Sequence, residues 1–596
     1  MKISLFGTIC AASVCLTLLT TPQQANGQKD SACYATYWVQ FANKYQSPYS
    51  VERPEEFLSQ AAIERRKRAG IPVTAEDFPV NPEYVRRVLA LDTSIRVLNR
   101  SRWFNSITVY SSKPGIREEI QALGCVGVCE RTALLKKPEP DSTNYEFFEF
   151  PCKYGKLYPD AGFGKADTQM RLNNAHWLHR MGYRGEGVRL MLLDGGFQNA
   201  DSISHFKHLR ESGRIKAVRN FAQPYADPFR DGRHGTYVLS CIASYLPGDH
   251  VGSAPEADIF LAQTEDNRFE AMVEEDNWIA GMEWADSLGC NVVSASLSYS
   301  TFDDTTTSHT YAQTDGKSSR VSRAAAIAAS KNILLCTSAG NQGAGKWKFV
   351  GFPSDAVNVL TVGAVGPKGQ MAPFSSKGPT ADGRVKPDAC AVGWGTWVGA
   401  PWNKTVQSSG TSFSTPLMAG MVSCLRQAFP DATAKEIINC IQMSGNRYSN
   451  PDSSLGYGVT DLLKAYNLLA NRQADTSILL PEFPLSSGKD SIFSFYVTAK
   501  SACRAEFSVT VGERNTSMVK KLKPGRYCIE MRLPELPAAN IGWEIITVTC
   551  RTEGAAPERA LCQRIGIDKA ASLYPVGSEG TPAPEEAKKI VWKIKR

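Results

Sequence analysis

Three regimes of hydrophobic patterning divide the chain. From about residue 150 to 472, apolar runs of strand length alternate with amphipathic stretches of helical period. Residues 188–193, 259–263, 291–296, 333–338 and 359–365 read as strands, and 236–245, 278–288 and 322–330 fit as helices between them. In 417–429, Met418, Met421, Val422, Leu425 and Phe429 fall near a 3.6-residue period and predict a further helix. Near-continuous apolar strands joined by helical crossovers predict an α/β fold, a parallel sheet with helices on both faces. Sites in such sheets gather at the carboxyl ends of strands, and Asp194 and Asn341 both follow predicted strands directly.

The flanks differ. Residues 28–138 mix strands (37–41, 95–98, 106–110, 126–132) with helices (54–68, 81–90, 116–123), which predicts a small α+β domain. The charged, proline-bearing stretch 136–141 is where a boundary is expected. Beyond 472 the helical period fades. Strands at 491–497, 505–511, 527–533 and 544–550, with turns at Pro524-Gly525 and 534–537, predict an all-β, sandwich-like domain over 473–577. Residues 578–596, rich in Pro, Glu and Lys, are expected to form a poorly ordered tail. The predicted units are therefore 1–27, 28–140, 150–472, 473–577 and the tail.

Composition adds constraints. With 42% hydrophobic and 21% charged residues the chain is ordinary for a soluble globular protein. Its net charge of +8 is modest for 596 residues, and no interleaving of basic and aromatic residues argues for a nucleic-acid partner. The basic run Glu64-Arg65-Arg66-Lys67-Arg68 is expected to be a solvated helix face. Met1-Lys2, an apolar run over 3–19 and a polar stretch to Gly27 predict a signal peptide cleaved after Ala25-Asn26-Gly27. A membrane anchor is the alternative, but the run is short and its flank is not basic. Cys10 and Cys15 inside it lack a lipoprotein pattern. Export to an extracellular, periplasmic or cell-surface location follows. Of the sixteen cysteines, Cys33, Cys125, Cys129 and Cys152, and Cys503, Cys528, Cys550 and Cys562, are candidates for pairing, with connectivity open. Cys241, Cys336 and Cys424 lie in apolar runs and are expected as buried thiols. No Cys/His spacing matches a zinc site.

The chemistry concentrates at Ser408-Ser409-Gly410-Thr411-Ser412-Phe413-Ser414-Thr415-Pro416. A glycine turn before the predicted helix sets Ser412 at a helix N-terminus, where unpaired N–H groups and the positive end of the dipole face any nearby oxygen. A serine there is ordinarily an N-cap, yet G-T-S-x-S-T-P arises by chance only about once in 10⁵ chains of this length. A serine nucleophile needs a base, a carboxylate to orient it, and donors for an oxyanion. Of seven histidines, His234 in Asp231-Gly232-Arg233-His234-Gly235-Thr236 opens an apolar helix after a tight turn. His176, His179, His205, His208, His250 and His309 have polar neighbours and are expected at the surface.

Five blocks resemble those of the subtilisin-like serine proteases, the subtilases. Residues 187–196, with Asp194-Gly195-Gly196, resemble the aspartate block, and His234-Gly235-Thr236-Tyr237-Val238 the histidine block. Thr337-Ser338-Ala339-Gly340-Asn341 resembles the block whose asparagine completes the oxyanion hole. Phe374-Ser375-Ser376-Lys377-Gly378-Pro379 with Lys386-Pro387-Asp388 resembles the segment before the nucleophile, and 410–416 the serine block. The order Asp, His, Ser is that of subtilisin. The resemblance spans roughly 150–472. It implies that Ser412 is the nucleophile, His234 the general base, Asp194 its orienting carboxylate, and Asn341 with the Ser412 backbone N–H the oxyanion hole. Two departures stand out: Gly195 replaces a Thr or Ser, and Tyr237-Val238-Leu239-Ser240 replaces His-Val-Ala-Gly.

The resemblance carries further expectations. Ser296, Leu297, Ser298, Ser338, Ala339 and Gly340 would flank the first specificity pocket and Gly351 its floor. Small neutral residues there predict a roomy, uncharged pocket for bulky apolar side chains. Residues 28–138 would be a propeptide, an intramolecular chaperone and inhibitor cleaved by the enzyme itself between about 130 and 155, with a permanent accessory domain as the alternative. No cofactor is required. Asp303, Asp304 and Asp315-Gly316 in the long 299–322 loop offer oxygens for a structural calcium ion but no regular spacing, and a solvated loop is the other reading. Trp394, Trp397 and Trp402 would either line the substrate groove or pack under a loop. The function implied is a secreted serine endopeptidase made as a zymogen, acting on protein or peptide substrates. An exopeptidase of the same fold, or an inactive subtilase serving as a binding module, stands as the alternative.

Overall fold

The computed structural model describes residues 33–136 and 162–472, and between 478 and 591 a set of strands with some of their turns. The predicted signal peptide, the linker beyond Lys136, Cys152 and all of 578–596 except 588–591 lie outside the described residues.

The N-terminal unit is an antiparallel sheet of β1 (Cys33–Phe41), β2 (Arg96–Ser101), β3 (Ser106–Ser111) and β4 (Val126–Lys136), ordered β2-β3-β1-β4. The helices are α1 (Gln60–Arg68), α2 (Pro82–Leu89) and α3 (Ile116–Gln121). The helix predicted over 54–68 is interrupted because Ser59 caps α1, its Oγ accepting from the N–H of Ala62 at 3.2 Å. Asn81 caps α2 in the same way, with Pro82 in the first turn where its missing N–H costs nothing. The two-residue period of a strand splits β3 between two surroundings. Ile107 and Val109 pack under α2 and α3, while Thr108 faces the other way.

The central unit carries α4 (Asp167–Arg171), α5 (His176–Arg180), β5 (Arg189–Asp194), α6 (Lys207–Glu211), β6 (Ile215–Asn220) and α7 (Arg233–Ala243). Two short strands, β7 (Tyr245–Leu246) and β8 (His250–Val251), precede β9 (Asp258–Gln263), α8 (Val273–Ser287), β10 (Val292–Ala295) and α9 (Arg320–Ser330). Then come β11 (Leu334–Ser338), β12 (Leu360–Val365), β13 (Ala389–Val392) and the hairpin β14 (Thr396–Ala400) with β15 (Lys404–Ser408). Helices α10 (Thr411–Ala428), α11 (Ala434–Ser444) and α12 (Leu462–Arg472) close the unit.

Seven of these strands form one parallel sheet, β13-β12-β11-β10-β5-β9-β6. β5 shows why its strands read as unbroken apolar runs. Leu190 and Leu192 pack with Leu239 and Ile242 of α7 and Met418 and Val422 of α10. Met191 and Leu193 pack on the opposite face with Trp278 and Met282 of α8 and Val321 and Ala325 of α9. Each such side chain contributes about 1.5–3 kcal/mol by leaving water. The edge strand β6 was not predicted, because Ile215-Lys216-Ala217-Val218-Arg219-Asn220 is too interrupted by charge to look like its neighbours.

The N-terminal sheet lies against α8 through a buried polar network. The carboxylate of Asp286 takes the guanidiniums of Arg65, Arg66 and Arg102. Glu283 accepts from the backbone of Arg102 (2.8 Å) and Trp103 (3.2 Å). Asn277 accepts from Asn99 at 2.6 Å, and Asp276 from Thr108 at 3.1 Å. This corrects the expectation that 64–68 is a solvated face: Arg65 and Arg66 are buried, Arg66 also pairing with Asp77 at 2.8 Å.

Beyond 478 the described residues form two further sheets. Ile492–Ala499 and Gly525–Arg532 belong to one, and Cys503–Val511 and Gly542–Thr552 to the other. Alternation sends Ala505, Phe507 and Val509 to a buried face. Within the stretch expected as a tail, Lys588–Val591 pairs in parallel with Gly525–Arg532. The β-branched pair Ile590-Val591 suits an edge strand, a signal that the surrounding charge and proline obscure. Among the described residues, no helix is long and apolar enough to cross a membrane. Cys125, Cys129 and Cys503, candidates for pairing, are free thiols, as are Cys241, Cys336 and Cys424.

Candidate active site

Asp194 ends β5 and is fully buried. One oxygen, Oδ1, accepts from the N–H of Gly195 at 2.8 Å and from Nδ1 of His234 at 2.7 Å. The other, Oδ2, has no hydrogen-bond partner among the described residues. The glycine at 195 brings no hydroxyl to it.

His234 is the second residue of α7, and glycines set its place. Gly232, at φ +69°, lies so close to the end of β5 that a Cβ would sit 1.8 Å from the carbonyl oxygen of Gly195. A Cβ at Gly235 would sit 2.2 Å from that of Gly196. The start of the helix is thus pressed onto the Asp194-Gly195-Gly196 turn, which brings the imidazole to the carboxylate. Burial pulls the imidazole pKa down, but the charge and hydrogen bond of Asp194 outweigh it and hold the pKa above the ordinary histidine value.

Ser412 is the second residue of α10, which starts at Thr411 rather than at the predicted 417. Its hydroxyl makes a long hydrogen bond, 3.4 Å, to the carbonyl of Ser296. Pro416 stands inside the helix and has no N–H to give the carbonyl four residues back, that of Ser412. Ser296 Oγ donates to that carbonyl instead, at 2.9 Å. Asn341 follows Gly340, whose φ is +104°. Its Oδ1 accepts from both N and Oγ1 of Thr411, at 2.9 and 3.0 Å, so its Nδ2 is left as the donor. Ser412 N–H belongs to the unpaired first turn of α10.

His234, Asn341 and Ser412 line a single cavity of about 650 Å³ together with Ser296, Leu297, Ser298, Ser338 and Gly340. Two predicted pocket residues stand behind that wall. Ala339 is fully buried, and Gly351 lies against Ser298, its Cβ position 2.3 Å from the Ser298 hydroxyl. The uncharged pocket expected from these small residues is not what the structure holds. Glu265, Asp266, Glu270, Glu274 and Asp303 also line the cavity, brought in by the loop from β9 into α8, the first turn of α8 and the loop after β10. The signal for them was the polar run Thr264-Glu265-Asp266-Asn267 at the carboxyl end of a strand.

Other expectations resolve around this site. His176, His179, His205 and His250 are buried rather than at the surface. Backbone carbonyls meet the rings of two of them, Ser253 that of His179 and Trp397 that of His250, both at 2.9 Å, while His205 Nε2 meets Thr405 Oγ1 at 3.0 Å. Two aspartates of the long loop are spent locally: Asp304 caps a turn at Thr306, and Asp315 accepts from the N–H groups of Lys317 and Ser318. Among the described residues no group of three or more His, Cys, Asp or Glu could hold a metal ion. None of the three tryptophans lines the cavity. Trp402, exposed, meets Tyr237 edge-on at 6.3 Å, and Tyr237 meets Phe413 beside Ser412 at the same distance.

The sequence matches known families over the same segments. Residues 185–458 match the profile of the subtilase family (peptidase S8), and residues 36–144 that of the peptidase S8 propeptide domain of Bacteroidota. The chain belongs to the subtilisin-like serine proteases. It is 26% identical to subtilisin E of Bacillus subtilis (strain 168) over 277 residues, 46% of this chain and 64% of that protein. It is 25% identical to serine protease AprX of the same strain over 325 residues, 49% of this chain and 69% of that protein. The match to subtilisin E therefore spans less than two thirds of that relative's length.

Proposed function

We propose that the protein is an exported serine endopeptidase that cleaves peptide bonds through an acyl-enzyme on Ser412. The observation that carries this reading is the shared cavity of Ser412, His234 and Asn341, with Asp194 held 2.7 Å from His234 behind it. Asp194 fixes the tautomer with the proton on Nδ1, which turns the basic Nε2 to the serine side. Nε2 takes the Ser412 proton as Oγ attacks, and Asp194 stabilises the imidazolium that results. Asn341 Nδ2 and the Ser412 N–H receive the charge that develops on the carbonyl oxygen. Nε2 then returns the proton to the leaving amine.

In the same reading the 33–136 unit is the propeptide. α8 buries Asp276, Glu283 and Asp286, and the three arginines that answer Asp286 all come from the N-terminal unit. Burying unpaired carboxylates is expensive, so docking of this unit favours the folded α8, as a chaperone would. Ser412→Ala in the full-length chain tests both halves. The variant is expected to keep its uncleaved N-terminal unit and to lose labelling by a serine-directed fluorophosphonate, while the wild type is cleaved and labelled. Identical mature N-termini for the two would exclude self-cleavage, and an unlabelled, folded wild type would exclude the enzyme.

A further inference from the structure

The cavity beside Ser412 has one strongly charged wall. Glu265, Asp266, Glu270, Glu274 and Asp303 line it, and Arg268 is the one cation among its lining residues apart from His234. Arg268 is already committed, its guanidinium gripping Asp266 at 2.8 and 2.5 Å.

Part of this wall serves the fold. Glu274 accepts from the N–H groups of Asp266 (3.0 Å) and Ala271 (2.9 Å), and Asp303 accepts from that of Glu270 (3.1 Å). Two carboxylates are left over. Glu270 accepts no hydrogen bond among the described residues. Glu265 is only 9% exposed. Its Oε1 is held by Thr264 Oγ1 and Tyr299 OH, both at 2.7 Å, and its Oε2 accepts no hydrogen bond among the described residues. Both residues line the cavity, so each presents a carboxylate that a donor or a cation entering it can meet. Burial raises the Glu265 carboxyl above the usual carboxylate range, despite the bonds from Tyr299 and Thr264.

We propose that this cavity selects substrates bearing a cationic group, an ammonium or guanidinium, within a few residues of the scissile bond, and that Glu265 and Glu270 bind it. The proposal rests on Ser412 being the nucleophile, and it replaces the bulky apolar preference that the small wall residues predicted. The cation could come from a lysine or arginine side chain or from the free amino terminus of the peptide, and the same carboxylates would receive either.

The test uses the mature protein processed from the full-length chain, with matched peptides that carry lysine, arginine or the neutral, similarly long methionine at each position around one cleaved bond. Each peptide is prepared with a free and with an acetylated amino terminus. The expected result is at least a tenfold higher kcat/KM for cationic peptides, with Glu270→Gln and Glu265→Gln each reducing that ratio. A ratio that survives acetylation assigns the cation to the side chain, and one that acetylation abolishes assigns it to the terminus. Because Glu265 also holds Tyr299, the exposed Glu270 provides the variant least exposed to misfolding. Equal or better cleavage of the methionine peptides, or a ratio that neither variant moves, overturns the proposal. Fluorophosphonate labelling separates the two readings. Labelled protein without cationic preference overturns only the selectivity, whereas folded, unlabelled protein overturns the protease reading and the selectivity with it.

Discussion

At the scale of single residues, the site depends on groups that hold others in place. Thr411 occupies Oδ1 of Asn341 with two donors, so the amide cannot turn its oxygen into the cavity without losing both. Its Nδ2 is thereby prepared for an oxyanion at no cost in reorganisation. Asn341→Ala is expected to lower kcat by about 10²–10³-fold with little change in KM, since the interaction forms only in the transition state. Steady-state kinetics on one good peptide would check it, and a change confined to KM would remove Asn341 from this role. Asp194, His234, Asn341 and Ser412 were legible in the sequence because each sits in a short glycine-bearing block, and in the first two blocks Gly196, Gly232 and Gly235 are demanded by backbone contact. Glu265 and Glu270 were not, because the polar run after β9 marks only a strand end and nothing in it names Ser412 as its neighbour. The fold alone brings these residues, about 145 positions apart, to one cavity.

Among the elements, α8 was the least legible and carries the most. The predicted helix starts at 278, whereas α8 begins at Val273 and takes in the acidic stretch Glu274-Glu275-Asp276-Asn277. The structure buries that stretch between the cavity and the N-terminal sheet. The same blindness made Arg65 and Arg66 look solvated: charge patterns predict exposure unless the opposing charge, here 220 residues away, is known. The parallel strands were legible for the converse reason, since a strand buried on both faces needs no partner to be identified. At the C-terminal end of α8, three guanidiniums converge on Asp286, which holds its carboxyl well below the usual carboxylate range despite burial. Removing that carboxylate leaves three cations buried without it. Asp286→Ala is expected to destabilise the chain by about 3–5 kcal/mol. Denaturant unfolding of the uncleaved Ser412→Ala protein, with and without the second substitution, would measure this. A loss under 1 kcal/mol would mean that the arginines find other partners or water.

For the whole molecule, buried titrating groups pull stability in opposite directions as pH changes. Burial depresses His179 and His250 to about 4, and the hydrogen bonds to carbonyls only partly offset it. A histidine with a depressed folded-state pKa contributes stability that is complete above its unfolded value near 6.5 and is lost as pH falls toward 4. Asp355 behaves in the reverse sense. It is fully buried, and burial raises its carboxyl to about 6 despite the bonds from Ser322 and Gly316. A raised carboxyl favours the folded state most below its unfolded value near 4, and that contribution is lost as pH rises through 6. Each group is worth on the order of 2–3 kcal/mol across its window. The two windows overlap between about pH 4 and 6, so the wild-type profile there reports only a difference, and variants are needed to separate the terms. Relative to wild type, His250→Asn is expected to cost progressively less stability as pH is lowered from 7 to 4.5, because the wild type alone must then suppress a charge. Asp355→Asn is expected to cost less as pH is raised from 4.5 to 7, for the mirror reason. Melting of the Ser412→Ala background at several pH values would show the two differences crossing in sign of slope. Parallel profiles for wild type and both variants would mean that neither group titrates between the folded and unfolded chain.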